Sequence, residues 1–177
     1  MRVLGVDPGL QRTGYGLIEA GGPDCMKMIE AGVIETLPDS GISVRLADIY
    51  RNLTDIIDKY APDVLVLEKL YSHYKHPATS ILMGHARGVI CLGCGVKGVE
   101  LVSYPSTHIK KAITGNGRAK KHQVQRMVKS LLGLNTLPEP FDVSDALAMA
   151  ISYVRTASIE QSVGADPCVR PSIEGER

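Results

Sequence analysis

Three short apolar runs open the chain, residues 2–7, 13–19 and 28–36, each rich in Val, Leu, Ile or Met and parted from the next by Gly, Pro or Asp. Runs of that length with turns of that chemistry predict three antiparallel strands, and every later element has to fit against the sheet they begin. From Val44 to Tyr60 the period changes: Leu46, Ile49, Tyr50, Leu53, Ile56, Ile57 and Tyr60 recur at helical spacing on one face, with Ser43 as the expected cap. Pro62 stops that helix, and "DVLVLE" reads as a strand buried on both faces. A helix follows over 78–96, with Gly, Ala and Cys among its apolar residues, and then a fifth strand, "VELVSY". Ser106–Ile113 is a short helix, "TGNGRAKK" a loop, Lys121–Leu132 a basic helix, "NTLPEP" a linker and Asp142–Tyr153 a last amphipathic helix. The order βββαβαβ followed by helices describes an α/β domain over residues 1–156, a mixed sheet with helices on its faces. Past Thr156 the periodicity fades, and residues 157–177 are expected to be a disordered tail.

With 177 residues the chain is long enough for one well-covered core. Four cysteines at irregular spacing do not make a secreted disulfide framework, and no window approaches the uninterrupted apolar length of a membrane span. A soluble, cytoplasmic protein is the expectation. The net charge of +1 conceals a division: Lys69 to Pro138 carries eleven Lys and Arg against one acid, Glu100, so the rest of the chain is strongly acidic. A basic half of this kind is the footprint of a nucleic-acid binder if the fold gathers those charges on one side.

Within the strands, two carboxylates stand out. Asp7 ends the first run and Glu68 ends "VLVLE"; acids are poor strand formers and costly to bury, so their placement calls for a reason. Asp142 and Asp145, three apart in "FDVSDALAMAI", project from one side of the last helix. Taken singly, Asp142 is an ordinary helix-terminal acid and Asp7 an Asp-Pro-Gly turn. Converging, the four would repel one another unless cations lay between them, and hard oxygen donors of this type suit Mg²⁺ or Mn²⁺. Two such ions about 4 Å apart support in-line hydrolysis of a phosphodiester without a protein nucleophile.

The segments "GVDPGLQRTGYGLI", "VLVLEKLY", "GHARGVI", "STHIKKAITGNGRAKKHQVQRMV" and "DVSDALAMAI", in that order, resemble the RuvC family of bacterial Holliday junction resolvases, over roughly residues 1–156. The resemblance implies an RNase H-like fold with a five-stranded mixed sheet flanked by helices on both faces. It also implies a homodimer that cuts four-way DNA junctions by paired symmetric nicks with two Mg²⁺ ions, for which Mn²⁺ substitutes, in recombination and repair. The branch-migration proteins RuvA and RuvB are the implied partners. Carried over by position, Asp7, Glu68, Asp142 and Asp145 are the metal-holding catalytic acids, and Lys110 and Lys121 the active-site lysines. Tyr71 is the aromatic residue after the second of these strands, where many members carry Phe.

The stretch "KLYSHYKH" directly after Glu68 is placed to lie on DNA, with Tyr71 and Tyr74 stacking on opened bases. Lys75, Arg87, Lys111, Arg118 and Lys120 complete the expected DNA contacts. Cys91 and Cys94 form a CxxC that no second pair completes into a zinc site, so buried small side chains are the better reading. Among the five histidines, His85 in "GHARG" is the one most suited to a specific task. Two other classes share parts of this pattern. Actin-like ATPases have the Asp-Pro-Gly turn but use two domains, and a junction-binding module without catalysis would have no use for the acids.

Overall fold

The computed structural model describes residues 1–69 and 77–163. Its elements run β1 Arg2–Asp7, β2 Arg12–Gly22, β3 Cys25–Glu35, α1 Ile42–Tyr60, β4 Val64–Glu68, α2 Pro77–Lys97, β5 Glu100–Tyr104, α3 Ser106–Thr114, α4 Lys121–Leu131 and α5 Phe141–Val163. The sheet order is β3-β2-β1-β4-β5, with β1, β2 and β3 antiparallel and β4 and β5 parallel to β1. The element order expected from the sequence is the one observed.

Strand parity sorts the core into two layers. Val3 of β1, Ile18 and Ala20 of β2, and Val64 and Val66 of β4 face α3, α4 and α5. Leu4 and Val6, Leu17, and Leu65 and Leu67 face α1 and α2. Helices therefore cover both faces, which is why β1 and β4 are almost wholly buried and read as continuous apolar runs. Each fully buried Leu or Ile here contributes roughly 1.5 to 3 kcal/mol of transfer free energy.

Three local expectations change. Gly41, not Ser43, is the N-cap of α1, with no side-chain cap bond, and Ser43 lies inside the helix. The chain leaves β3 through Leu37 and Pro38 and turns early, so helical geometry starts at Ile42. Helix α5 runs on to Val163, past the point where its sequence periodicity fades, while the residues it packs against β1, β2, α3 and α4 lie between Val143 and Val154. Finally, Thr79–Lys97 is long and apolar enough, by length and composition alone, to cross a bilayer. Its Ile, Leu, Val, Cys and Ala residues and sparse charges raise the average, although His85 and Arg87 interrupt the run.

Candidate active site

The parity that builds the core also aims the carboxylates. Asp7 shares its side of β1 with Val3 and Gly5, and Glu68 shares its side of β4 with Val64 and Val66, so both point toward α5. Their strands are neighbours in register, Val6 opposite Leu67, which sets the two acids side by side at one end of the sheet. Helix α5 enters over that same end, with Asp142 in its first turn, where the helix dipole favours a negative charge.

Glycines decide how closely α5 approaches. Gly14 lies opposite Asp7 in the β1–β2 ladder, and a Cβ placed on it would meet the Asp142 carbonyl oxygen at 2.2 Å and the Asp142 Cβ at 2.8 Å. One turn further along, a Cβ on Gly5 would lie 1.9 Å from the carbonyl oxygen of Ala146. Side-chain-free strand positions thus let the helix backbone rest on the sheet, and this contact delivers Asp142 and Asp145 to Asp7. Neither glycine stood out in the sequence, although both lie on the α5 side of alternating strands.

The acids sense one another. The Asp7 carboxyl is pushed up to about 7, chiefly by burial and then by the negative charges of Asp145, Asp142 and Glu68, with Lys121 opposing. Glu68 is raised mainly by burial and by Asp145, against a hydrogen bond with Ser106 and the charges of Lys110 and Lys121. Burial likewise raises Asp145, against Lys121. The Lys121 ammonium donates to Asp145 Oδ2 at 3.4 Å and lies 5.9 Å from the ring centre of Phe141, which packs edge-to-face with His122, ring centres 5.1 Å apart. Arg12 Nε lies 3.6 Å from Asp142 Oδ2 and equally far from Glu35 Oε1.

Asp7, Glu68 and Asp145, whose ionisation is resisted by burial and by neighbouring acids, together with Asp142 beside them, offer oxygen donors alone and fit hard divalent cations on chemical grounds. As they stand, with Asp142 engaged by Arg12 and Asp145 by Lys121, no group of three or more His, Cys, Asp or Glu among the described residues is set to hold a metal ion.

The other expected positions scatter. Lys111, Arg118 and Lys120 are exposed along α3 and the loop to α4, on the same side of the sheet as the acids. Tyr71, Tyr74 and Lys75 lie outside the described residues. Arg87 is half-buried, with its guanidinium hydrogen-bonded inside the protein: Nη1 donates to the Glu68 carbonyl and Nη2 to Ser103 Oγ, each at 2.9 Å. His85 is exposed, and it is His108 that makes specific contacts, stacking on Tyr104 and bonding Thr156 Oγ1 at 3.0 Å. Cys94 is buried, its thiol pushed up to about 11 by that burial, which leaves it unreactive. Arg12, Ser106 and Phe141 adjoin the acids without having been expected there; the nearness of Arg12 to Asp7 and of Phe141 to Asp142 in the chain was the available signal.

Residues 3–153 match the family profile described as crossover junction endodeoxyribonuclease RuvC. RuvC of Rhodopirellula baltica is 45% identical over 164 residues, 91% of each chain, and that of Caldicellulosiruptor saccharolyticus 46% over 158 residues, 89% of this chain and 95% of its own. The structure of Thermus thermophilus RuvC in complex with a Holliday junction substrate superposes with a TM-score of 0.83 at 26% identity, covering 90% of this chain and 96% of that one. A mixed five-stranded sheet of RNase H-like form, acids gathered at one end of it, and sequence identity along nearly its whole length make this chain a member of the RuvC crossover junction endodeoxyribonuclease family.

Proposed function

We propose that this chain resolves four-way DNA junctions by paired, symmetric nicks, using divalent cations, Mg²⁺ by preference and Mn²⁺ in substitution, held by Asp7, Glu68, Asp142 and Asp145. The observation that carries this reading is the gathering of Asp7, Glu68 and the start of α5 with Asp142 and Asp145 at one end of the sheet, where Lys121 donates to Asp145. Bound there, such cations supply positive charge to the phosphate and acidity to water, the two requirements of phosphodiester hydrolysis near neutral pH. The chain's own groups do the rest. Lys121, reaching in from the start of α4, and Lys110 on α3 offset charge as it builds on the phosphate oxygens. Asp7, raised to about 7 chiefly by burial, would give up its proton where a cation bound beside it. Arg12, set between Glu35 and Asp142, could turn to a phosphate oxygen once a bound cation opposed Asp142 in its place.

Two nicks need two sites related by a two-fold axis, and α2 offers a face for a second copy. Its inner side buries Ala86, Ile90 and Cys94, while Ile81, Leu82, Leu92 and Val96 are exposed and Gly84, Gly88 and Gly95 leave open space where a partner helix can approach. A homodimer through α2, working in the cytoplasm beside RuvA and RuvB, completes the reading. The test is a synthetic mobile four-way junction incubated with protein and Mg²⁺, beside linear duplex and a four-way RNA. Paired nicks at symmetric positions in the DNA junction alone support the proposal; equal cutting of linear duplex, or cutting of RNA only, overturns it.

A further inference from the structure

Arg87 fell among the expected DNA contacts, yet its side chain is directed elsewhere. Parity places Ser103 on the α2 side of β5, since Val102 and Tyr104 pack on the opposite side with α5. The guanidinium therefore lies under the sheet, on the face away from the Glu68 carboxylate, and bridges the ends of two strands: the carbonyl of Glu68 on β4 and the hydroxyl of Ser103 on β5.

The strand end it meets needs a donor. Pairing of β4 with β1 stops at Val6 opposite Leu67, one residue short of Glu68, and the β1 chain continues into Pro8, which has no N–H to offer. Beyond Glu68, among the described residues, the ladder continues with Lys69 N–H to the Tyr104 carbonyl, at 2.8 Å. A backbone carbonyl left without a donor in a half-buried position is costly, and a charged donor is the stronger remedy. Arg87 supplies it from Ala86-Arg87, in the turn of α2 whose neighbours Ala86 and Ile90 are wholly buried, so the bridge is anchored to the core.

We propose that Arg87 is a positioning residue: by bridging the Glu68 carbonyl and the Ser103 hydroxyl from beneath the sheet, it fixes the end of β4 and so the direction of the Glu68 carboxylate toward Asp7 and Asp145. The proposal rests on the assignment of Glu68 as a cation-holding acid. Because the opposite side of α2 carries the face assigned to the second subunit, one rigid helix links subunit association to the placement of Glu68.

The experiment compares Arg87→Ala, Arg87→Lys and Ser103→Ala with the parent protein in three measurements: Mn²⁺ binding to the DNA-free protein by calorimetry, junction affinity without divalent metal at several salt concentrations, and single-turnover nicking at saturating junction. Supporting groups behind a metal ligand are typically worth about 10- to 100-fold. Arg87→Ala is expected to weaken Mn²⁺ binding and slow nicking by about that factor, with junction affinity and its salt slope unchanged. Arg87→Lys, keeping one donor, restores part of both, and Ser103→Ala, losing one bond and no charge, costs about 3- to 10-fold, at or below the low end of that range. Should Arg87→Ala fail to fold, Ser103→Ala and Arg87→Lys carry the test. Normal Mn²⁺ binding and nicking at saturation, with affinity lowered and the salt slope reduced by about 1, would make Arg87 a phosphate contact and overturn the proposal. If the parent protein binds Mn²⁺ but does not cut junctions, the functional reading fails while the Mn²⁺ titrations still judge Arg87.

Discussion

Helices α2 and α5 look alike as sequence: both are long, poor in charge, and mix Ala and other small residues with Leu, Ile, Val and Met. Their fates differ. In α5 the residues Val143, Ala146, Leu147, Ala148, Met149, Ala150, Ile151 and Val154 are each at most 5% exposed, whereas in α2 Ile81, Leu92 and Val96 are about 60% exposed. The cause is not in either helix. Beneath α5 lie Gly5, Gly14 and Gly16 of β1 and β2, which admit its backbone to the sheet, and α3 and α4 cover its other side. Helix α2 has α1 and the edge strand β5 on one side and no described element on the other. Equal apolarity thus serves internal packing, and the acidic site with it, in one helix, and leaves an exposed apolar face in the other.

The largest effect expected on the α5 side comes from Asp7→Asn, which should abolish nicking in a Mg²⁺ gel assay while junction binding persists. The same variant reads the strain of the cluster. A carboxyl whose folded value is about 7 against 3.8 when unfolded favours the folded state fully only below about pH 4, and the metal-free protein loses that stability as pH rises through 7. Asn cannot ionise, so Asp7→Asn should raise metal-free stability at pH 8 by about 2 to 4 kcal/mol and change little at pH 4, as denaturant titrations would measure. Mg²⁺ should stabilise the parent protein at pH 8 far more than the variant. No pH dependence in the difference would mean that Asp7 is neither desolvated nor pressed by the other acids.

Lys121→Ala comes next. Loss of one charge-stabilising donor typically costs about 3 kcal/mol, so the single-turnover rate at saturating junction should fall by roughly 10²-fold with little loss of affinity. A defect confined to affinity would move Lys121 from the site to the basic surface. Gly14→Ala tests the close approach itself: overpacking costs about 1 to 3 kcal/mol of stability, and displacing Asp142 should slow nicking by about 10- to 100-fold, given that a 1 Å misplacement commonly costs the upper figure. Nicking at the parent rate would show that α5 does not depend on that contact to place its acids.

The smallest effect on folding, within about 0.5 kcal/mol, is expected from Leu92→Glu on the exposed side of α2. Sedimentation should nevertheless show a dimer become a monomer, with paired nicks lost. A variant that stays dimeric would place the subunit interface elsewhere, and flotation of the parent protein with lipid vesicles would turn the α2 surface into a membrane contact.

Much of this was legible in the chain. Period-2 and helical patterns depend on residues a few positions apart, so the sequence determined the succession of strands and helices, the acids at the ends of β1 and β4, and the pair Asp142 and Asp145 at the start of α5. The five motif segments pointed to the family as well. Other features depend on partners far along the chain, and only the tertiary structure decided them. It decided that Gly14 is the floor beneath Asp142, that Arg87 bonds the Glu68 carbonyl where a DNA contact was expected, and that α5 is enclosed while α2 is not. The physical reason is that burial and hydrogen-bond satisfaction belong to pairs of surfaces. A helix carries its own apolar residues in its sequence, whereas what covers them is set by the packing of the whole sheet.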